Sequence, residues 1–165
     1  MMLGRGGVTA RRRTGVPVLA MNIGGTAYTS PIDGISYIAD QHVTNVGKNG
    51  YTLTGMMGAY PDPPVWESCR FGEFAYSIPV TNGSYDIALK MADIWEGPVA
   101  AGGRVFTLVV QGVSTASIDI NALAGGQYKP YTLVVTRTVT TGALTISAVN
   151  GVNDPVLNAV VIMTR

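Results

Sequence analysis

Apolar and polar side chains alternate with a period of two along most of the chain from residue 16 onward. The longest such run covers 85–92, where every second residue is large and mainly apolar. Shorter runs repeat the pattern at Phe74/Tyr76/Ile78, Phe106/Leu108/Val110, Leu133/Val135 and Leu144/Ile146/Ala148. A period of two, rather than 3.6, predicts β-strands with one buried face. The nearly continuous apolar run from Val156 to Met163 predicts a buried strand at the centre of a sheet.

Turn signals separate these runs at short intervals. Asn82-Gly83 joins two of them, and this dipeptide supplies the positive φ angles of a tight hairpin. Gln111-Gly112 and Thr141-Gly142 occupy similar positions farther along the chain. No window supports an amphipathic helix of three turns. Many short strands separated by turn signals predict an all-β fold, either a sandwich or a barrel.

The region 49–68 departs from this pattern. Pro61, Pro63 and Pro64 fall within it, and proline cannot donate a hydrogen bond to a sheet, which argues against a central strand. We predict a long surface loop here, the kind of segment that carries function on a rigid scaffold. Trp66 is expected to anchor this loop to the core.

One domain accounts for nearly all of the chain. Its 165 residues suffice for one substantial core, and we assign residues 16–165 to this domain. Residues 1–15 form a basic arm rich in Gly and Arg. We expect Arg11, Arg12 and Arg13 to anchor this arm to another protein subunit, which would make the protein part of an oligomer or larger assembly. The alternative is that the arm adds a strand to its own sheet.

The composition indicates an unusually neutral surface. Charged residues make up 13% of the chain, against about 25% in typical soluble domains, while 47% are hydrophobic. The net charge is only +1, so no clustered positive field is available, and we expect no nucleic-acid partner. A neutral surface rich in Gly, Ser, Thr and Asn suits packed assemblies and contacts with sugars.

Residues for catalysis or metal binding are scarce. Cys69 is the only cysteine and His42 the only histidine, so we expect no internal disulfide, no Cys/His zinc site and no Ser-His-Asp triad. Asp93 and Glu96 are the nearest carboxylate pair, but residues three apart on a strand point to opposite faces. We therefore expect a non-catalytic protein without metal or cofactor.

We also expect neither a signal peptide nor a transmembrane helix. No apolar segment of roughly 7–15 residues follows the arginines before Pro17 and Asn22, so we expect no signal peptide and synthesis in a cytoplasm. No stretch reaches the roughly 18 apolar residues of a transmembrane helix, so no membrane insertion is expected.

Nine short elements occur in order between residues 18 and 164. They are Asn22–Gly25, Gly34–Asp40, Glu67–Phe71, Phe74–Pro79, Asn82–Tyr85, Met91–Trp95, Arg104–Phe106, Ile118–Ile120 and Asn153–Val156. In order and spacing these elements resemble the malectin family, whose members are β-sandwich lectins that bind glucose-rich oligosaccharides without catalysis. The resemblance implies an antiparallel β-sandwich, jelly-roll-like in type, with an oligosaccharide as partner.

The resemblance also implies a sugar site on loops at one end of the sandwich. By position, the family's aromatic and acidic site residues fall at Tyr51, Phe71, Trp95, Glu96, Asn153 and Asp154. Aromatic rings stack on the apolar C–H face of a pyranose, and carboxylates and amides bind its hydroxyls. The family prefers two adjacent aromatics where this chain has Trp95-Glu96. A changed sugar preference, or loss of sugar binding, is the consequence to expect.

Two classes of function stay open from the sequence. The first is a lectin-like domain that binds an oligosaccharide, with glucose among the sugars to test. The second is a purely structural assembly protein, such as a capsid-decoration or tail component of a bacteriophage. We favour the combination of the two, a sugar-binding domain displayed on a virion surface and held by its N-terminal arm.

Overall fold

The structure, a computed structural model, describes residues 15–58 and 60–165. Arg11, Arg12 and Arg13 lie outside these ranges, so the anchoring role expected of them stays a prediction. Within the ranges the strands are β1 Pro17–Asn22, β2 Tyr28–Thr29, β3 Ser36–Ala39, β4 Val43–Val46, β5 Asn49–Thr52, β6 Ser68–Phe71, β7 Phe74–Pro79, β8 Gly83–Met91, β9 Val105–Val110, β10 Val113–Ser114, β11 Ile118–Asp119, β12 Tyr131–Val139, β13 Ala143–Val152, β14 Val156–Leu157 and β15 Ala159–Thr164. The helices are α1 Pro63–Trp66 and α2 Ile120–Ala124, and no helix in the described ranges is long and apolar enough to cross a membrane.

The strands form two large sheets and one small sheet. The first large sheet has the order β12-β8-β15-β1-β3-β2, and the second has the order β10-β9-β13-β7-β4, with β11 also paired to β9. The small sheet has the order β14-β6-β5. Among the described residues, β1 and β3 form the one parallel pair, and every other named pair is antiparallel. The predicted all-β sandwich is therefore confirmed.

The core lies between the two large sheets, where the alternating positions of the sequence meet. Along β7 and β9 every second side chain is buried. Ile87 and Leu89 of the first sheet and Leu108 and Leu144 of the second are all fully buried in one hydrophobic cluster. The period of two thus identified the inward faces of both sheets.

The hairpin predicted at Asn82-Gly83 is wrong. Strand β7 pairs with β4 and β13, whereas β8 pairs with β12 and β15, so the chain crosses from one sheet to the other at this dipeptide. The chain crosses back at Thr141-Gly142, and the amide of Gly142 donates to the side chain of Asn82 at 2.8 Å. An Asn-Gly dipeptide permits a tight turn, but the strand that follows pairs where its apolar face is buried.

Gln111-Gly112 does form a two-residue hairpin. It joins β9 to β10, which pair with each other, and its two residues have φ angles of 52° and 75°. Positive φ at both central positions is the geometry that matches the twist of paired strands.

The long loop predicted over 49–68 is only partly correct. Its first residues form β5, which pairs with β6, and Pro63–Trp66 forms the short helix α1. Proline is compatible with the first turn of a helix because the amides there have no intrahelical acceptor. Trp66 is buried, with 8% of its surface exposed, which confirms that it anchors this region.

The apolar run from Val156 to Met163 divides at Asn158. Val156 and Leu157 pair with β6 in the small sheet, and the strand from Ala159 lies between β8 and β1 in the first large sheet. The prediction of a buried central strand is confirmed for β15, while the two residues before Asn158 belong to a different sheet.

Asn158 is a fully buried polar residue at this division. Its Oδ1 accepts from the amide of Ala92 at 2.7 Å, and its Nδ2 donates to the carbonyls of Trp66 and Ser68 at 2.8 Å each. Buried amide groups need such partners, and here they join the large sheet to the small one.

Candidate functional site

A pocket of about 250 Å³ lies between the small sheet and the segments that follow β8 and precede β14. Its apolar floor comes from Cys69, Ile94 and Val156, which are all buried. Ligand pockets typically measure about 300–1,000 Å³, so this one suits a single small ring or a comparable group.

Three aromatic side chains form one wall of the pocket. Tyr51 of β5 lies between Phe71 and Trp95, with ring centroids 6.3 Å and 5.8 Å away respectively. The Tyr51 and Phe71 rings meet edge to face at 84°, whereas the Tyr51 and Trp95 rings are inclined at 40°. Trp95 is 48% exposed, so part of its ring is open to a ligand.

Glu96 is connected to this aromatic wall by a hydrogen bond with Tyr51. The Tyr51 hydroxyl donates to Glu96 Oε1 at 3.0 Å. Desolvation by burial, together with this hydrogen bond and the nearby negative charge, raises the pKa of Tyr51 to about 12. The phenol therefore stays protonated at neutral pH and keeps the Glu96 carboxylate beside the aromatic wall.

The loop that carries Trp95 is held by residues that follow α2. Gln127 Nε2 donates to the carbonyls of Trp95 and Gly97 at 2.7 Å and 2.8 Å, and its Oε1 accepts from the amide of Val99 at 3.1 Å. The hydroxyl of Tyr128 also donates to the Trp95 carbonyl at 2.6 Å. These four bonds fix the backbone of the Trp95 loop.

Gly97 leaves room for the indole of Trp95. A Cβ atom at position 97 would lie 2.9 Å from the indole Nε1, closer than such contacts occur in proteins. The position of the exposed ring therefore depends on the absence of a side chain at Gly97.

A buried ion pair also lines the pocket. Asp93 is 1% exposed and accepts from Arg104 Nε and from Asn121 Nδ2, both at 2.9 Å, and from the amide of Trp95 at 3.2 Å. Arg104 Nη1 donates to the carbonyl of Asp154 at 2.6 Å. This network connects the end of β8, the start of β9 and the turn before β14.

Lys48, Asn153 and Asp154 form a polar part of the pocket lining. Lys48 Nζ lies 3.1 Å from one carboxylate oxygen of Asp154 and 3.2 Å from the other. Asn153 has a φ of 61°, and its side chain accepts from the Asp154 amide at 2.8 Å. An asparagine tolerates this left-handed conformation better than most residues, which fixes the turn at the rim.

The structure brings most of the predicted site residues to this one pocket. Tyr51, Phe71, Trp95, Asn153 and Asp154 line it. Glu96 does not line the pocket and reaches it through the Tyr51 hydroxyl. Whether these residues bind a sugar stays a prediction.

Sequence reasoning missed three charged residues that line the pocket. Lys48 and Arg104 line the pocket, as does Asp93, which the sequence offered only as half of a carboxylate pair. Arg104 stands at the head of one element that resembles the malectin family, which was the available signal. Lys48 has no comparable signal in the sequence.

The two carboxylates of the nearest pair in the sequence lie in different environments. Asp93 is buried in its ion pair, whereas Glu96 is exposed. Burial raises the pKa of the Cys69 thiol to about 12, so it is a poor nucleophile at neutral pH. Residues 15–58 and 60–165 contain no cluster of three or more His, Cys, Asp or Glu that could hold a metal ion.

Solved structures share this fold. A β-glucuronidase from Bacteroides uniformis superposes with a TM-score of 0.75 at 19% identity, over 89% of this chain and 18% of that chain. The plant receptor-like kinase FER gives a TM-score of 0.73 at 17% identity, over 88% of this chain and 48% of that chain. The ANX2 ectodomain from Arabidopsis thaliana gives 0.73 at 14% identity, over 88% and 49%. The chain therefore spans less than half the length of these proteins.

Sequence comparison identifies the family. No curated protein sequence matches the chain significantly. A family profile described as the Malectin domain matches residues 17–160, which includes every strand of the second large sheet and every residue that lines the pocket. The chain belongs to the malectin family.

Proposed function

We propose that this domain binds one sugar ring of an oligosaccharide in the pocket between Tyr51, Trp95 and Asp154, without transforming it. Membership of the malectin family supports a domain that binds carbohydrate or another ligand. The observation that carries the proposal is the exposed ring of Trp95 beside Tyr51, in a pocket that polar side chains also line. A pyranose has the matching chemistry, with an apolar C–H face and a ring of hydroxyls.

The size of the pocket favours a sugar over a peptide. One similar structure is of the plant peptide RALF23 in complex with FER and LLG2, so a peptide ligand is the alternative to weigh for this chain. A pocket of about 250 Å³ holds one ring, whereas an extended peptide needs a groove along several residues. Glucose-containing oligosaccharides are the first candidates, in keeping with the resemblance to the malectin family.

A glycan array tests the proposal. We expect the wild type to bind a set of oligosaccharides and Trp95→Ala to lose that binding, since the stacking surface is removed. The matched control is Tyr60→Ala, because Tyr60 is an exposed aromatic that does not line the pocket. Absence of wild-type binding, or equal loss in both variants, would refute a lectin site at Trp95.

The wider setting we propose is display on a larger assembly, such as a phage virion, after synthesis in a cytoplasm. The low charged fraction of 13% and the three arginines at 11–13 support this setting. Deletion of residues 1–15 should then abolish association with the assembly while leaving glycan binding intact. Unchanged association after this deletion would refute the anchoring role of the arm.

A further inference from the structure

Arg104 has one guanidinium nitrogen without a hydrogen-bond partner among the residues that the structure describes. The residue is 4% exposed and lines the pocket. Its Nε donates to Asp93 and its Nη1 donates to the carbonyl of Asp154, but Nη2 makes no hydrogen bond with any residue in 15–58 or 60–165. A charged donor beside a pocket, without a protein acceptor, is a candidate ligand contact.

The two bonds that Arg104 does make fix the direction of the third nitrogen. The guanidinium is planar, so anchoring Nε and Nη1 leaves Nη2 no freedom to turn away. Asp93 is itself held by Asn121 Nδ2 and by the amide of Trp95. The donor is therefore preorganised, and a ligand oxygen that reaches it incurs little ordering cost.

The charges around the pocket favour a neutral acceptor. Arg104 is neutralised by Asp93, and Lys48 by Asp154. Glu96 adds a negative charge beside the aromatic wall, which disfavours a carboxylate on the ligand. A hydroxyl oxygen accepts from a guanidinium without bringing a charge, so it suits this pocket better than an acid group.

From this geometry we infer that Arg104 is a specificity-determining residue, whose Nη2 donates to one hydroxyl oxygen of a neutral hexose in the pocket. The inference rests on the proposed sugar-binding function and goes beyond it by assigning the contact that selects one ring position. Stacking on Trp95 tolerates many sugars, whereas a fixed donor in the lining of the pocket distinguishes between them.

The test combines deoxygenated ligands with a conservative variant. The probes are methyl α-D-glucopyranoside and its 2-, 3-, 4- and 6-deoxy analogues, titrated by calorimetry or by NMR shifts. In the wild type we expect one analogue to bind at least about tenfold more weakly than the parent, as loss of a hydrogen bond to a charged group implies. In Arg104→Lys, which keeps the positive charge beside Asp93, that difference should vanish.

The matched control is Arg137→Lys, because the Arg137 guanidinium donates to the carbonyls of Val110 and Thr136 and does not line the pocket. It should retain the wild-type preference among the analogues. If Arg104→Lys does not fold, the guanidinium N–H signals of the wild type serve instead, and the parent glycoside should slow exchange of the Arg104 Nη2 protons.

Two results would overturn the inference. In the first, the parent glycoside binds, but the deoxy analogues lose affinity in the same pattern in the wild type and in Arg104→Lys. Guanidinium signals that do not change when the parent glycoside binds would count equally against it. The other is no binding of the parent glycoside to the wild type. In either case, binding of other glycans on the array would leave the proposed function standing, so the two failures are distinguishable.

Discussion

The hydroxyl of Tyr51 donates to Glu96 at 3.0 Å, and this bond joins the small sheet to the loop that carries Trp95. Tyr51 also contacts the rings of Phe71 and Trp95. A single tyrosine therefore holds both an aromatic wall and an acidic group at the mouth of the pocket. The resemblance to the family predicts a second aromatic residue at position 96. With Glu96 there, the chain has a hydrogen-bond acceptor in place of a second stacking surface.

Alkaline pH should destabilise the fold through its tyrosines. Tyr51 has a pKa of about 12, above its ordinary value of 10.0, so the folded chain binds more protons than the unfolded chain between these values. This stabilisation is complete below pH about 10 and is lost as the pH rises to about 12. Burial raises the pKa values of Tyr37 and Tyr76 in the same direction.

Urea unfolding at a series of alkaline pH values measures this effect, and Tyr51→Phe should flatten the dependence. In Glu96→Gln the pKa of Tyr51 should fall without reaching its ordinary value, because desolvation remains the largest cause of the shift. A tyrosinate titration in which Tyr51 ionises near 10 in the folded wild type would contradict this account.

Gly97→Ala should weaken sugar binding with little loss of stability. The new methyl group would lie within 2.9 Å of the Trp95 indole and displace that ring from its place beside Tyr51. Because the indole is exposed, it can move at small cost, and we expect a change in unfolding free energy of about 0.5 kcal/mol or less. The glycan array measures the expected loss of affinity, and a thermal melt measures the expected small change in stability. Unchanged affinity would show that the Trp95 ring does not stack on the ligand.

Gln127→Ala should loosen the loop that carries Trp95. The variant removes three hydrogen bonds between Gln127 and the backbone of that loop. Two are accepted by the carbonyls of Trp95 and Gly97, and one is donated by the amide of Val99. We expect a loss of stability of about 1–2 kcal/mol and faster amide hydrogen exchange at Val99, whose amide donates to Gln127. Exchange in the strands of the core should stay as it is, and slow exchange throughout the loop would argue that Tyr128 alone suffices to hold it.

Asn158→Leu should be strongly destabilising. The side chains are similar in size, but leucine leaves the Ala92 amide and the Trp66 and Ser68 carbonyls without partners in a buried region. We expect a loss of about 3 kcal/mol or more in the free energy of unfolding. The control is Asn150→Ala at an exposed position, which should change stability by less than about 0.5 kcal/mol. Comparable denaturation midpoints for the two variants would refute the role of Asn158.

The strands and the core followed from the sequence because burial on one face imposes a period of two. That period shows which side chains turn inward, as at Ile87 and Leu108, but it does not show which strands become neighbours. The local pattern at Asn82-Gly83 therefore predicts a hairpin, although the flanking strands lie in different sheets. Pairing is decided by contacts far apart in the chain, which a local pattern does not contain.

The site was predictable where the resemblance to the family supplied positions, as for Trp95 and Asp154. The resemblance did not assign Lys48 and Arg104, whose contribution depends on three-dimensional placement. Within the described part of the chain, Arg104 makes two structural hydrogen bonds through Nε and Nη1 and none through Nη2, which only the geometry of the pocket reveals.

The division of the last apolar run at Asn158 has a consequence for engineering. The segment from residue 153 to the end supplies part of the pocket rim, a strand of the small sheet and a central strand of the large one. A ligand that binds only the complete pocket must therefore favour the association of this segment with the rest of the chain. A protein cut at the exposed Gly151 would behave as two fragments whose complementation depends on sugar concentration, which is the operating principle of a split biosensor.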